Sequence, residues 1–430
     1  MQEVDKSNTL SRLLDVTRTL AASADLTEVL TTIINAMRDL LESDRASVFQ
    51  YEPKTKELCL NVGHSDDGKP LIIRLPISSG IAGACASTRE IINVPDAYED
   101  ERFNQSFDKK TGYRTRSILA IPLVDHEDEL QGVAQVINRF DGPFGPEQEE
   151  IATALAAQCA VTLKRARLME DRMRRLHVER DLEIARKIQM ELMPPSKPAF
   201  PGWDIYGWTE PAEETGGDIF DFVSNDNELV FLMGDATGHG VGPAISVVQV
   251  RTALRMALDL NADFTDSVLK LNRQSKADLP SGRFVTAYFG KIKKGTNVIE
   301  QISCGQAPIL ILRKNGNHEV IDADTIPLGI MDPLIDLEKP IEFSFEPGDA
   351  LVLASDGFFE APRADDEQMG NDRVIEAAAA CLDEGSEAIA ENIRKETLKF
   401  TGGLPQNDDQ TIVIARFHGD FTEPSPEEDD

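Results

Sequence analysis

Four aspartates stand where chemistry is possible: Asp218 in GGDIFD, Asp235 in FLMGDATGHG, Asp356 in LVLASDGFF and Asp408 in QNDDQTIVI. In the last three, an apolar strand-like run delivers the carboxylate to its exposed end. Gly or Asn beside it lets the backbone come close to a ligand. Carboxylates converging from different strands repel one another unless a cation sits between them. Oxygen-only ligation, with no Cys or His cluster nearby, selects Mg²⁺ or Mn²⁺ over zinc. Two such ions about 3.5–4 Å apart would acidify a bridging water and polarise a phosphoryl oxygen, so no covalent nucleophile is needed. Accordingly the chain has no GxSxG elbow and no GxxxxGK[ST] loop. Singly, an Asp before Gly is an ordinary turn former; the signal is all four in this order and spacing.

These aspartates need strands to carry them. From Gly202 to His418 apolar runs (LVFLMGD, RFVTAYFGKI, ALVLASDG, QTIVIARF) alternate with helical patterns (ISVVQVRTALRMAL, RVIEAAAACL). Upstream, Glu147–Met193 holds neither Gly nor Pro and stops at Pro194-Pro195, which predicts one long helix. Its apolar residues Met169, Met173, Leu176, Leu182, Ala185, Ile188 and Leu192 mostly step by three or four, with a break near Arg180. That is an imperfect heptad seam, expected to pair two chains as a coiled coil; a helix packed only on its own domain is the alternative. The N-terminal part opens with helical spacing at Leu10, Leu13, Leu14, Val16 and Leu20. Strand-like runs from Ala46 onward follow, an α+β sensory pattern.

Bulk composition narrows the field. Lys+Arg 44 against Asp+Glu 75 gives a net charge of -31, which repels nucleic acid and anionic membrane surfaces. Five scattered cysteines without a CxxC pair fit a reducing, cytoplasmic setting rather than a disulfide framework. No signal peptide or apolar span is visible, so no membrane role is expected.

With ARKIQMELMP, PAEETGGDIFDF, MGDATGHGVGPA, SCGQAPIL, PGDALVLASDGFFEA and NDDQTIVI on the page, residues Ala185–Phe417 resemble the type 2C (PPM) protein phosphatases. The match is to their bacterial sporulation and stress-response (SpoIIE/RsbU-like) branch. The resemblance implies an αββα sandwich with two Mn²⁺ or Mg²⁺ between its sheets. It makes Asp218 and Asp235 the core ligands, Asp235 the bridge, the Ala236 carbonyl a further ligand, and Asp356 and Asp408 the remaining carboxylates. Where the wider family has Asn after the last ligand this chain has Asp409, so either adjacent aspartate is open as the ligand. Asp221 is open as a supporting acceptor or a helix-start residue. His239 is open as a proton donor to the leaving oxygen or a turn-shaping residue.

Residues Leu26–Ala160 resemble a GAF domain, and within that group the cyclic-nucleotide-binding kind, through SDRASVFQYE, SGIAGACAST, NVPDAYEDERFN, DKKTGYRTRSILAIPL and VINRFDGPFGPEQEE. Of the group's NK…F…DE signature, Asn138 and Phe144 match. Arg139 and Gln148 replace Lys and Asp, and Glu149 keeps the acid, so an Arg139–Glu149 pair is the expected substitute for the lid salt bridge. The same matching gives a pocket of Ser47, Ile81, Ala82, Asp108, Thr111, Thr115 and Gln135 for cAMP or cGMP; many GAF domains bind something else.

The expected whole is α+β. An N-terminal helix (1–25) precedes a GAF sensor of antiparallel sheet with helices (26–160), a helical linker and coiled coil (161–198), an αββα phosphatase domain (199–420) and an acidic disordered tail (421–430). Its expected function is a metal-dependent protein serine/threonine phosphatase regulated by a GAF ligand. The resemblance suggests a phosphorylated anti-sigma-factor antagonist as substrate in a partner-switching pathway, and a homodimer joined through the linker helix. The alternative is a catalytically inactive, ligand-sensing scaffold.

Overall fold

The computed structural model describes residues 12, 14–20, 25–64, 70–334, 337 and 339–422. The opening pattern at Leu10 and Leu13 and the tail beyond Thr422 lie outside the described residues. Two compact units are resolved, Met1–His177 and Val178–Asp430.

The first unit is built on a six-stranded antiparallel sheet in the order β3-β2-β1-β6-β5-β4. Its strands are β1 (Ser43–Glu52), β2 (Glu57–His64), β3 (Pro70–Pro76), β4 (Ile92–Val94), β5 (Ile118–Val124) and β6 (Leu130–Arg139). Helix α1 (Leu26–Leu40) starts at Asp25, whose side chain accepts from the Glu28 N–H, and buries Val29, Ile33 and Met37. These pack with Val48, Leu119 and Ile121 from one face of the sheet, and with Leu155, Cys159 and Leu163 of a later helix. The other face holds Phe49, Ala120 and Val133 against Ile81, Ala82 and Cys85 of α2 (Gly80–Thr88). Both faces are covered, so alternate residues of each strand enter different cores.

The breaker-free segment is one helix, α4, running Pro146–Glu191 after the short α3 (Ser106–Thr111). Proline at its first position loses no hydrogen bond, and Gln148 accepts from the Gly145 N–H at 3.0 Å to close the start.

In the second unit two five-stranded antiparallel sheets face each other. Their orders are β14-β11-β10-β9-β8 and β13-β12-β15-β16-β7. The first is formed by β8 (Asp218–Ser224), β9 (Glu228–Ala236), β10 (Val285–Lys293), β11 (Val298–Cys304) and β14 (Ile341–Ser344). The second is formed by β7 (Trp203–Glu210), β12 (Ile309–Leu312), β13 (His318–Ile321), β15 (Ala350–Ala354) and β16 (Gln410–Phe417). Between them lie Phe220, Phe231, Met233, Tyr288, Leu351 and Val413. Helices α5 (Val241–Asp259) and α6 (Phe264–Asp278) cover the outer face of the first sheet with Val247, Leu254 and Leu271. Beyond the short α7 (Asp356–Phe359), helices α8 (Gly370–Ala380) and α9 (Ser386–Thr401) cover the second with Val374, Ile389 and Ile393. The layering is the expected αββα sandwich. Among the described residues no helix is long and apolar enough to cross a membrane.

Candidate functional site

Each sheet brings part of the carboxylate set to one end of the sandwich. Asp218 opens β8 and pairs directly with Asp235, the penultimate residue of β9. Asp356 follows β15 after Ser355, and Asp408 precedes β16. Ser355 ties these last two ends together. Its Oγ donates to the Asp409 carbonyl at 2.9 Å and accepts from the Thr411 N–H at 2.9 Å.

The glycines of GGD are demanded by crowding. A Cβ at Gly217 would lie 2.8 Å from the Ala236 carbonyl oxygen and 3.3 Å from Asp235 Oδ1, and one at Gly216 would lie 2.7 Å from Asp409 Oδ2. That approach is what the backbone gains by lacking a side chain there.

Burial and mutual repulsion dominate the electrostatics of the aspartates. Burial, then Asp235 and Asp409, push the Asp218 carboxyl well above the usual carboxylate range. Burial, then Asp356, Asp408 and Asp409, push Asp235 up to about 7. Asp356 is raised by burial, then by Asp408 and Glu360. Asp218 Oδ2 is fully buried and, among the described residues, has no hydrogen-bond partner. Leaving a buried carboxylate oxygen unpaired is costly, so the donor set fits a divalent cation. Among the described residues, the acidic trio whose oxygens lie within 4.8 Å of one another is elsewhere, Asp125, Glu127 and Glu129 of the first unit. It already holds the Lys164 ammonium, at 2.8 Å from Asp125 and 2.9 Å from Glu129, and needs no metal.

The two adjacent aspartates divide their work. Asp409 accepts from the backbone N–H groups of Ala212 at 2.8 Å, Gly217 at 2.5 Å and Asp218 at 3.4 Å, so its carboxylate is occupied in holding the GGD turn. Asp408 is exposed, and its Oδ1 accepts only the neighbouring Asp409 N–H, at 2.9 Å. Asp221 is no helix-start residue. It is buried on β8 and bound by Arg255 at 2.5 and 2.6 Å and Arg251 at 3.2 Å, anchoring α5 to the sheet. His239 stands exposed in the turn before α5, its Nδ1 3.2 Å from Glu213.

Two residues of this region escaped sequence reasoning. Gln189 of α4 clasps the backbone of Gly216, donating to its carbonyl at 2.7 Å and accepting its N–H at 3.2 Å. It lies inside ARKIQMELMP, where only its placement among apolar neighbours hints at a buried partner. Gln306, in SCGQAPIL, is buried between the sheets.

In the first unit the sheet brings four of the pocket residues to one face. Ser47 and Gln135 are cross-strand neighbours on β1 and β6, with Ser47 Oγ 3.5 Å from the Gln135 carbonyl, on the side covered by Ile81 and Ala82 of α2. Asp108 and Thr115 are buried and bound to each other. Asp108 Oδ1 accepts the Thr115 hydroxyl at 2.8 Å, and Oδ2 accepts the Thr115 N–H at 2.7 Å and the Tyr98 hydroxyl at 3.1 Å. Thr111 closes α3.

The expected Arg139–Glu149 pair does not form. Arg139 donates to the carbonyls of Asp141 at 2.6 Å and Pro143 at 3.4 Å and lies 3.5 Å from Glu42, while Glu149 accepts from Asn93 at 2.8 Å. One guanidinium nitrogen, Nη1, takes both carbonyls, while the buried Nε has no hydrogen-bond partner among the described residues. Asn138, at φ +57°, accepts the Arg116 N–H at 2.6 Å and donates to Tyr113 and the Arg114 carbonyl, fixing the loop before β5.

Comparison with known proteins agrees with this architecture. Residues 25–163 match the GAF domain family, and residues 225–418 match the family of stage II sporulation protein E (SpoIIE). The chain thus joins a GAF-type unit to a SpoIIE-type one. A probable 3′,5′-cyclic phosphodiesterase, pde-5, of Caenorhabditis elegans is 35% identical over 186 residues, 40% of this chain. The chain spans only 25% of that relative's length. Among solved structures, the SiaA-PP2C domain of Pseudomonas aeruginosa is 17% identical, covering 56% of this chain and 98% of its own, with a TM-score of 0.49. The RsbU and RsbW domains of Rv1364c from Mycobacterium tuberculosis are 24% identical, covering 52% and 62%, with a TM-score of 0.45.

Proposed function

We propose that the whole chain is a metal-dependent phosphatase for phosphoserine or phosphothreonine on a protein, switched by a small ligand of its GAF domain. The observation that carries this proposal is the buried Asp218 Oδ2, which among the described residues has no hydrogen-bond partner, within a set of aspartates raised by burial and by one another. Asp218, Asp235, the Ala236 carbonyl, Asp356 and Asp408 would hold two Mn²⁺ or Mg²⁺, and Asp409 would keep the GGD backbone in place beneath them. When bound, such ions supply an acidified water and a polarised phosphoryl oxygen. The protein's share is to bury the carboxylates, fix their directions and leave Asp408 and Asp356 open to a substrate.

The substrate we infer is a small phosphorylated anti-sigma-factor antagonist, from the sporulation family that residues 225–418 match. For the sensor we infer cAMP or cGMP. Support comes from the shared face of Ser47, Gln135, Ile81 and Ala82 and from the identity to a protein named as a cyclic phosphodiesterase. Homodimerisation through α4 is supported by Met169, Met173 and Leu176, which remain 45–47% exposed in the single chain.

Phosphate release from a phosphoserine protein, with Mn²⁺ and with a metal-free control, is the direct test. Turnover should appear with the metal alone. A folded, Mn²⁺-loaded protein that binds the phosphoprotein without releasing phosphate would leave the scaffold function instead.

A further inference from the structure

The two halves of the candidate metal centre come from different sheets, so their separation depends on whatever joins the strand ends. Gln306 lies at that junction. It follows Gly305, whose φ of +77° and closeness to Pro327, 2.4 Å from a would-be Cβ, admit no other residue. The turn sends Gln306 inward, where it is 5% exposed. Its backbone is held by Ser303, whose Oγ donates to the Gln306 carbonyl at 2.6 Å.

The side-chain amide touches both sheets. Oε1 accepts from Thr286 Oγ1 at 3.2 Å, and Nε2 donates to the Ala354 carbonyl at 3.4 Å. The orientation follows from chemistry, because a backbone carbonyl only accepts and must face the amide nitrogen. Thr286, on β10, stands directly opposite Asp235 on β9, and its hydroxyl lies 3.3 Å from the Asp235 carbonyl. Ala354 ends β15, and the chain reaches Asp356 after a single intervening serine. One amide therefore reaches the Thr286 hydroxyl, which lies beside the Asp235 carbonyl in the first sheet, and the backbone that leads to Asp356 in the second.

We propose that Gln306 is a positioning residue for the metal centre, a brace between the sheets that sets the distance between the Asp235 and Asp356 ends. The proposal rests on the metal-dependent function above. A buried glutamine that only satisfied its own polar atoms would contribute to stability and leave metal affinity alone. A brace acts on the ligands it spaces, and losing such an outer partner costs about 10–100-fold in metal affinity or activity.

The test uses the full chain. Gln306→Met keeps the length and volume of the side chain and removes both hydrogen bonds. Mn²⁺ binding is measured by calorimetry on metal-free protein, alongside the metal-free thermal midpoint and the Mn²⁺ dependence of turnover. We expect Mn²⁺ affinity to fall about tenfold or more, with turnover largely recovered at saturating Mn²⁺. Thr286→Val should break the brace from the first sheet with a similar loss, and Thr286→Ser, which keeps the hydroxyl, should restore affinity. A folded Gln306→Met protein that binds Mn²⁺ within about twofold of wild type would overturn the proposal. If that variant does not fold, equal Mn²⁺ affinity in Thr286→Val and Thr286→Ser overturns it instead. Wild-type protein that binds no more Mn²⁺ than Asp235→Asn would show that the metal centre itself is wrongly assigned, and the brace falls with it.

Discussion

The molecule holds two acidic clusters of opposite character. In the GAF domain the Asp125 side chain is fully buried, and burial alone would raise its pKa. The Lys164 ammonium and the N–H groups of Glu129 and Glu127 prevail, holding it at about 2. Glu127 and Glu129 close around the same ammonium. In the second unit, Asp218, Asp235 and Asp356 have no such cation beside them among the described residues, and all three are raised. Carboxylate count does not separate the two; the presence of an internal ammonium does. A self-neutralised cluster is a fastener between the β5–β6 hairpin and α4, whereas an unneutralised one has the chemistry to take a cation from outside. Strand β8 repeats the contrast within a few residues. Asp218 shares the inner face with Phe220 and Phe222, whereas Asp221 points outward to Arg255, as period-two alternation requires.

The largest break in this contrast should come from Asp235→Asn. Turnover should fall about 10²-fold or more, since misplacing a metal-bound water by even an ångström costs that much. Metal-free stability should move the other way. Asp235 keeps its proton up to about pH 7 in the fold but loses it near its ordinary 3.8 when unfolded. Its contribution is therefore complete below pH 3.8 and lost as pH rises through 7. Thermal midpoints in chelator should decline for wild type over that window and decline less for the Asn variant. A steeper decline in the variant would contradict the electrostatic account.

A smaller effect is expected where α4 meets the phosphatase domain. Gln189→Ala leaves both polar groups of Gly216 unpaired beside the GGD turn, at about 1–3 kcal/mol per buried group. If Gln189 transmits the state of the helix to the metal centre, activity should drop within the roughly 5–150-fold range of allosteric coupling. A two-residue insertion near Arg180 turns everything downstream by about 200° and should abolish the ligand response while sparing Mn²⁺ binding. Undiminished activity in Gln189→Ala, or an intact ligand response in the insertion, would remove the helix from the mechanism.

Why some of this was legible in sequence and some was not follows from distance along the chain. Asp218, Asp235, Asp356 and Asp408 stand out as a candidate set because each sits in its own local pattern of apolar strand and tight turn. The long helix is legible for the same reason, as a run without breakers. The roles of Asp409, Gln189 and Gln306 depend on partners 192, 27 and 48 residues away, which no local spacing encodes. The Arg139–Glu149 expectation failed at this point, because Asn93, a distant residue, had already taken the glutamate.

Acid should read the Asp125 cluster in the opposite sense from the Asp218 one. The depressed Asp125 contributes stability above its unfolded value of 3.8, and that contribution is lost as pH falls through about 2. Hydrogen exchange in the Asp125–Gln131 hairpin should therefore be faster in Asp125→Asn than in wild type at pH 5, with the gap narrowing toward pH 2. A gap independent of pH would mean that packing, not the Lys164 pair, holds the hairpin.

The finest effect concerns Thr115, where a fastener and a ligand contact compete for one hydroxyl. Its proton already goes to Asp108 Oδ1 at 2.8 Å, and Asp108 Oδ2 is taken by the Thr115 N–H and Tyr98. The Thr115 oxygen keeps only lone pairs, so it can serve a ligand as an acceptor alone. An N–H of a purine base suits that role, whereas a cyclic phosphate, which brings only acceptors, does not. Thr115→Ala should weaken cAMP or cGMP binding by about 0.5–1.5 kcal/mol, one ordinary hydrogen bond, in calorimetry on the full chain. It should also speed hydrogen exchange in the 108–115 loop of the ligand-free protein, because the Asp108 clasp loosens with or without nucleotide. Faster exchange with unchanged nucleotide affinity would make Thr115 a fastener only, and the base would have to find its acceptor elsewhere on the Ser47–Gln135 face.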